Sequence, residues 1–283
     1  MKILILIIAL LIGGVSGLAI AAPVDPGIVG VGARPLGMGR AFVGVADDIN
    51  ALLVNPAGLS SVRKPEFTSM MATFMQDTNY SLLGVAVPLR RGTLGIGYSG
   101  ITSGAGVSSA RDAAGRIVSG GTALDYSNRV FLLSYGLPLA EKIGRLLQPR
   151  LGVSLKYYSQ GIAGVANGTA QGFGADIGGM VGFNEWLNLG IAAQNLGGKL
   201  TWGTGKQENF PVTLKSGLGM KIFGPGGWRG HTATQEVFAG LDYEVAYNKG
   251  QPGVWHLGFE WSLSRSLALR FGIDQELASS GGA

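Results

Sequence analysis

From about residue 92 onward, large apolar residues alternate along the sequence with small or polar ones, at a period of two. In residues 151–157, for example, leucine, valine and tyrosine positions alternate with Gly152, Ser154 and Lys156. Successive side chains of a β-strand point to opposite faces, so this period indicates strands and not helices. Each predicted strand has one aliphatic and aromatic face, and one face of glycine, small polar and a few charged residues.

Eleven segments are predicted as strands, and the connections between them differ in length. Short turns at 90–92 and 183–185 contrast with long polar or glycine-rich stretches at 102–127, 160–170 and 197–209, which are predicted as loops. Short turns at one end and long loops at the other are typical of a transmembrane barrel. The predicted strands cover about residues 66–75, 80–90, 92–101, 128–138, 150–160, 171–183, 185–196, 210–222, 235–247, 253–263 and 266–274.

The composition favours a membrane barrel over a soluble β-protein. Only 14% of the residues are charged, against about 25% in an ordinary soluble domain, and glycine provides 49 of the 283 residues. A narrow lumen tolerates small side chains and paired charges of both signs. The predicted class is therefore all-β, a transmembrane antiparallel β-barrel. The alternative is an exported β-sandwich or lectin-like domain, with its apolar face packed inward and charges dominating outside.

The first residues predict export. Lys2 precedes an unbroken apolar run over residues 3–12, and Ala19-Ile20-Ala21 supplies a small-residue cleavage site. This layout is typical of a secretory signal peptide, here residues 1–21, cleaved near Ala21. The alternative, a membrane anchor, is less compatible with the glycine and serine residues that follow the apolar run. The expected location is the outer membrane, and outer-membrane lipid is the expected surrounding partner.

Residues 30–62 do not alternate. Asp47 or Asp48 is predicted to cap a short helix that runs to about Leu53 and ends at Asn55-Pro56. A small, partly apolar element before the first strand is suited to fold into the lumen of a barrel. We therefore expect residues 22–64 to form an N-terminal plug and residues 65–283 to form the barrel.

This segment resembles a known family. Its pattern GMGxAxxxxADDxxAxxxNPAGL is similar to the N-terminal signature of the PorV/PorQ proteins, within the wider FadL-like outer-membrane proteins, and it covers about a tenth of the chain. The resemblance implies a fourteen-stranded barrel with a hatch in its lumen, and a gating or structural role for the motif. The motif residues singled out are Gly37, Met38, Gly39, Asp47, Asp48, Asn55, Pro56, Ala57 and Gly58.

The same resemblance implies two activities that the motif does not separate. FadL-like members move hydrophobic molecules across the outer membrane, whereas PorV members serve the type IX secretion system and escort cargo proteins at the cell surface. Possible partners are thus a hydrophobic small molecule, or secretion-system and cargo proteins. A structural or porin-like outer-membrane protein is the alternative. Because only eleven strands are predicted against fourteen implied, and bacterial barrels have even strand numbers, the barrel is expected to be C-terminally incomplete.

No enzyme, metal site or cofactor is predicted. The chain has no cysteine, its net charge of +5 is scattered, which argues against nucleic acid, and His256 is the only histidine on a predicted strand. His256 shares a face with Glu260, so a lumen ion-pair network is favoured, and a barrel hydrolase is a remote alternative. The charged residues predicted to face the lumen are Lys156, Asp176, Lys215, Lys221, Asp242, Glu244, His256, Glu260, Arg270 and Asp274.

Overall fold

The structure, a computed structural model, describes most of the chain after the predicted signal peptide, which itself lies outside the described residues. The described residues are 23–29, 31–74, 77–107, 110–111, 116–118, 123–139, 147–229, 235–247, 252–264 and 266–275.

Fourteen strands are present in this part of the chain, eleven of them long. They are β1 (Glu66–Phe74), β2 (Thr78–Leu89), β3 (Gly92–Val107), β4 (Ala110–Arg111), β5 (Ile117–Val118), β6 (Ala123–Pro138), β7 (Leu147–Ala163), β8 (Thr169–Phe183), β9 (Leu187–Trp202), β10 (Gln207–Asn209), β11 (Thr213–Phe223), β12 (Glu236–Ala246), β13 (Val254–Ser264) and β14 (Leu267–Asp274).

Twelve strands form one antiparallel sheet in which the long strands follow each other in chain order from β1 to β14, and β10 pairs with β9. The strands β4 and β5 form a separate two-stranded sheet. Among the described residues β1 and β14 do not pair with each other, so the sheet is open. The predicted all-β, antiparallel class is confirmed.

The predicted loops were too long. The strand β3 continues to Val107, β6 begins at Ala123, β7 ends at Ala163 and β9 ends at Trp202, so the stretches 102–127, 160–170 and 197–209 are partly strand. These extensions contain many glycine, serine and threonine residues without apolar alternation. Backbone hydrogen bonds between neighbouring strands, which do not depend on side chains, continue the pairing there.

One face of the sheet, which we call the bare face, exposes large apolar side chains on every long strand. Leu155 on β7 is 63% exposed and Phe173 on β8 is 70% exposed. A contiguous apolar surface of this extent is unusual for a soluble monomer. One such residue from each long strand, in chain order, is Phe67, Leu83, Ile96, Phe131, Leu155, Phe173, Ile191, Leu214, Leu241, Phe259 and Phe271.

The opposite face, the covered face, lies against the described residues between 23 and 62, which we call the N-terminal segment. This segment contains three short helices, α1 (Pro26–Val29), α2 (Ala33–Gly37) and α3 (Ala51–Val54), and the 3₁₀ helix Pro56–Ser61. Its apolar side chains form the buried core of the molecule together with Tyr80, Leu132 and Tyr158 of the sheet. None of the helices in the described ranges is long and apolar enough to cross a membrane.

The sheet curves strongly around the N-terminal segment. The amide of Ile49 donates to the carboxylate of Glu66 on β1 (2.9 Å), and Gly39 contacts the backbone of Gly272 on β14. The ten residues from Gly39 to Ile49, which connect β14 to β1, span at most about 35 Å. Eleven flat strands, about 4.8 Å apart, would instead place β1 and β14 roughly 48 Å from each other. The first and last strands are therefore brought together around a single segment.

Candidate functional site

The N-terminal segment rests with its backbone directly on glycines of the covered face. A methyl group added at Gly152 would lie 2.1 Å from the carbonyl carbon of Pro56, and one at Gly178 would lie 2.1 Å from the Asn55 side chain. Glycine is required where two backbones approach this closely. Glycines in close contact with the segment occur on eight strands, β6 to β9 and β11 to β14: Gly136, Gly152, Gly178, Gly190, Gly217, Gly219, Gly240, Gly258 and Gly272.

These glycines also oppose one another across the strands. Gly152 pairs with both Gly136 and Gly178, and on the far side Gly258 pairs with both Gly240 and Gly272. They form shallow tracks along the sheet, one of which carries the 3₁₀ helix of the segment. These nine of the 49 glycines therefore have a specific structural reason.

The first half of the predicted motif occupies one end of this contact. Gly39 has a left-handed φ of 58°, and a methyl group there would lie 2.5 Å from the amide nitrogen of Ile273. Met38 is fully buried, and its carbonyl oxygen lies over Gly258. Gly37 approaches the side chain of Arg270. This half of the motif thus packs on β13 and β14.

The second half of the motif, Asn55 to Gly58, packs on β7 and β8. The side-chain oxygen of the buried Asn55 accepts from the amide of Ala57 (3.2 Å), and its Nδ2 donates to the carbonyls of Val43 (3.2 Å) and Gly179 (3.3 Å). Asn55 therefore begins the 3₁₀ helix, with Pro56 at its first position, and fixes it to the sheet. Gly58 packs closely on Ala46.

Arg34 is the centre of the first of three ion-pair clusters. Its guanidinium contacts Asp47 and Asp48 (2.9 Å), and it binds Glu260 of β13 through two hydrogen bonds of 2.9 Å each. Arg270 donates a further hydrogen bond of 2.5 Å to Glu260. Burial alone would lower the pKa of Arg34, but the three carboxylates outweigh it and raise that pKa well above its usual range, so the side chain stays charged.

The sequence predicted that Asp47 or Asp48 would cap the helix, but α3 has no side-chain cap. The Oδ1 of Asp48 accepts from the amide of Asn50 (2.8 Å). The carboxylate instead connects the turn to Arg34. Since the neighbouring residue Ile49 donates to Glu66, this turn bridges β1 and, through Arg34, β13.

Arg40 lies in the second cluster, between β11, β12, β13 and β14. Its guanidinium is 3.8 Å from Glu244 and 3.7 Å from Asp274. Lys215 is 3.0 Å from Glu244, and His256 lies between the two carboxylates, 3.3 Å from Asp274 and 3.7 Å from Glu244. Positive side chains (Arg40 and Lys215) and negative side chains (Glu244 and Asp274) thus alternate in this cluster.

Asp242 holds the backbone of the segment directly. Its Oδ2 accepts from the amides of Phe42 (2.5 Å) and Val43 (2.6 Å). Hydrogen bonds to a buried carboxylate are among the stronger ones in proteins. The carboxylate therefore fixes the turn of the segment that follows Arg40.

Lys156 of β7 forms the third cluster, which is fully buried. Its Nζ is 2.7 Å from Asp25 of the N-terminal segment and 2.8 Å from Asp176 of β8. It also donates to Asn195 (3.0 Å), which accepts from Tyr158 as well (2.8 Å). The positive charge of the buried lysine is thus compensated by carboxylates from both the segment and the sheet.

The structure brings nine of the ten predicted lumen charges to the N-terminal segment, directly or through one partner. Lys221 is separate, since its Nζ contacts Glu236 (3.2 Å) and the carbonyl of Pro225 (3.3 Å) near one end of the sheet. Sequence reasoning missed the partners on the segment, Asp25, Arg34 and Arg40. These three residues could have been recognised in the sequence, because they are charged residues in a segment with few charges.

Two cavities lie at the two ends of the sheet. One, of about 570 Å³, is lined by Asp77, Asp125, Arg129, hydroxyl side chains and residues 161–165. It lies at the end that carries the β3–β6, β7–β8 and β9–β11 connections, which we call the long connections. The other, of about 590 Å³, lies beside the β2–β3 turn. Within the described residues no group of three or more potential ligands could hold a metal ion.

Comparison with known proteins adds no relative to this description. No family model matches the chain, and no curated protein matches it.

Proposed function

We propose that this protein is an outer-membrane β-barrel of the PorV/FadL-like type, with the bare face in contact with lipid and the N-terminal segment as a plug in the lumen. This proposal rests on the difference between the two faces of the sheet. Large apolar side chains are exposed on all eleven long strands, and water is a poor solvent for such a surface. The face with buried charges, in contrast, is covered by the chain's own segment.

The way in which the plug is held favours a role at the membrane surface over a conduit. Moving the plug would separate Lys156 from Asp25, Arg34 from Glu260, and Asp242 from two amides. Each separation removes partners from a buried charged group, and breaking one buried ion pair costs about 3–5 kcal/mol. We therefore propose the secretion role, in which the long connections at one end of the barrel hold exported proteins of the type IX pathway.

Transport of a hydrophobic molecule is the second candidate. The cavity of about 570 Å³ at the end with the long connections has the volume of a small-molecule site. Ile162 and Val165 contribute apolar surface, but Asp77, Asp125 and Arg129 make much of the lining polar. This lining suits a ligand with a polar group better than a plain acyl chain.

Deletion of the gene in its native host separates the two roles. The proposal predicts that secreted cargo accumulates in the periplasm, that uptake of a labelled fatty acid is unchanged, and that the intact gene restores export. Loss of uptake with normal export would favour the transporter. Release of the protein from membranes by alkaline carbonate would contradict both roles.

A further inference from the structure

Four arginines surround the cavity of about 590 Å³ at the end of the sheet that carries the β2–β3 turn. Arg63 follows the 3₁₀ helix, Arg90 and Arg91 form the turn between β2 and β3, and Arg150 belongs to β7. No carboxylate occurs among the described residues that line it. The cavity is therefore strongly positive.

These arginines differ from the buried cations that hold the N-terminal segment. Arg34, Arg40 and Lys156 each have carboxylate partners, whereas in the described ranges none of the four arginines has an ion pair. Like charges around one volume repel each other, and an anion between them would remove this repulsion.

Arg150 gives the cavity a fixed hydrogen-bonding wall. Its two terminal nitrogens donate to Ser61 (2.5 Å) and Asn188 (2.9 Å), which orients the guanidinium. The same guanidinium lines the cavity.

We propose that this cavity binds a phosphate group. Guanidinium groups match phosphate oxygens through paired hydrogen bonds, and a phosphate offers more acceptor oxygens to four arginines than a carboxylate does. The group belongs either to a lipid headgroup or to free phosphate.

The position of the cavity favours a lipid headgroup, an argument that rests on the proposed function. Leu89, which lines the cavity, is 52% exposed on the bare face, and Arg90 follows it directly. The arginines thus lie where the apolar band of the sheet ends, at the level of lipid phosphates.

The test uses the purified full chain in detergent, titrated calorimetrically with dioctanoyl phosphatidylglycerol and, separately, with sodium phosphate. Arg90→Ala/Arg91→Ala removes two of the charges. Arg229→Ala is the matched control, since Arg229 is exposed at the same end of the sheet but outside the cavity. Arg63→Ala, a single exposed change, is the second test if the double variant does not fold.

We expect the lipid to bind the wild type and the Arg229→Ala variant within about twofold, and the double variant at least about tenfold more weakly. Binding of sodium phosphate that is lost in the same variant, with lipid binding unchanged, would support the site with free phosphate as its source. Equal binding of both probes to the double variant and the wild type would overturn the proposal, as would binding of neither.

Carbonate extraction of cell membranes separates this test from that of the proposed function. A wild-type chain that leaves the membrane would refute the barrel proposal, while the sodium phosphate titration would still decide whether the cavity binds phosphate.

Discussion

At the residue scale, Arg34 is the side chain that joins the turn at Asp47 and Asp48 to Glu260 of β13. It is 15% exposed and contacts Asp47, Asp48 and Glu260. The ring of Phe42 lies 5.0 Å below its guanidinium, and a cation over an aromatic face is further stabilised. Removal of this one side chain would leave Asp47 and Asp48 without this counter-ion, and Glu260 with Arg270 alone.

Arg34→Ala is therefore expected to lower the free energy of unfolding by about 3 kcal/mol, the lower end of the range for breaking a buried ion pair, because Asp47 is still 40% exposed. Urea unfolding followed by tryptophan fluorescence measures this. Arg270→Ala is the control: Arg270 is 32% exposed and, among the described residues, has an ion pair with Glu260 alone, so the loss should be about 1 kcal/mol or less. Equal losses would contradict the central role of Arg34.

Gly152→Ala tests the backbone contact with the plug. The added methyl group would lie 2.1 Å from Pro56, and overpacking of this kind costs about 1–3 kcal/mol or more. Gly179→Ala is the matched control on the neighbouring strand β8, since its methyl group would meet only side-chain atoms at 3.4 Å or more. We expect faster proteolysis of the N-terminal segment in the first variant only. Equal proteolysis in both would refute the contact.

At the scale of elements, the eleven long strands could be predicted because apolar alternation is a local property of the sequence. The bounds of β3 and β9 could not, since their ends pair through the backbone and carry no alternation. The same limit applies to the site. Sequence alone placed Asp242 and Glu260 on the inner face, but their partners Phe42 and Arg34 lie some two hundred residues away along the chain.

The structural role of the glycines was predicted least completely. Their surplus was interpreted as a small-residue lining for a narrow lumen, whereas Gly152, Gly190 and Gly258 are positions where a second backbone touches the strand. Close approach is a tertiary property, so composition cannot distinguish these glycines from Gly197 or Gly205, which have left-handed φ values and no nearby atoms.

Leu155→Arg tests the environment of the bare face at the middle of β7. An arginine at the bilayer midplane destabilises a barrel by about 2–4 kcal/mol, whereas an exposed position in water changes stability by about 0.5 kcal/mol or less. Unfolding in lipid vesicles measures the difference. Val165→Arg, in the turn between β7 and β8, is the control and should have little effect. A small effect at Leu155 would argue against lipid contact.

At the scale of the whole molecule, the N-terminal segment joins the two ends of the sheet path. It binds β1 through Ile49 and Glu66, β13 through Arg34 and Glu260, and β14 through Gly39. The segment and the sheet are therefore expected to unfold together, because neither can bury its polar groups without the other.

A planar bilayer tests whether the plug closes the lumen. Wild-type protein should show no steady conductance, whereas Arg34→Ala/Asp242→Ala should open intermittently because both groups hold the segment. Lys206→Ala is the control, since it removes an exposed pair with Glu208 outside the plug. A steady wild-type conductance would refute closure.

The central claim, that the bare face lies in lipid, is tested most directly by spin labels at single cysteines, which the cysteine-free chain permits. Labels at Leu155→Cys and Ile191→Cys are compared with one at Val165→Cys, in lipid vesicles. If the bare face lies in lipid, oxygen, which dissolves in lipid, relaxes the labels at positions 155 and 191 more than a water-soluble nickel complex does. The label at position 165 is then relaxed more by the nickel complex than by oxygen. Strong relaxation by the nickel complex at Leu155 and Ile191 would contradict it.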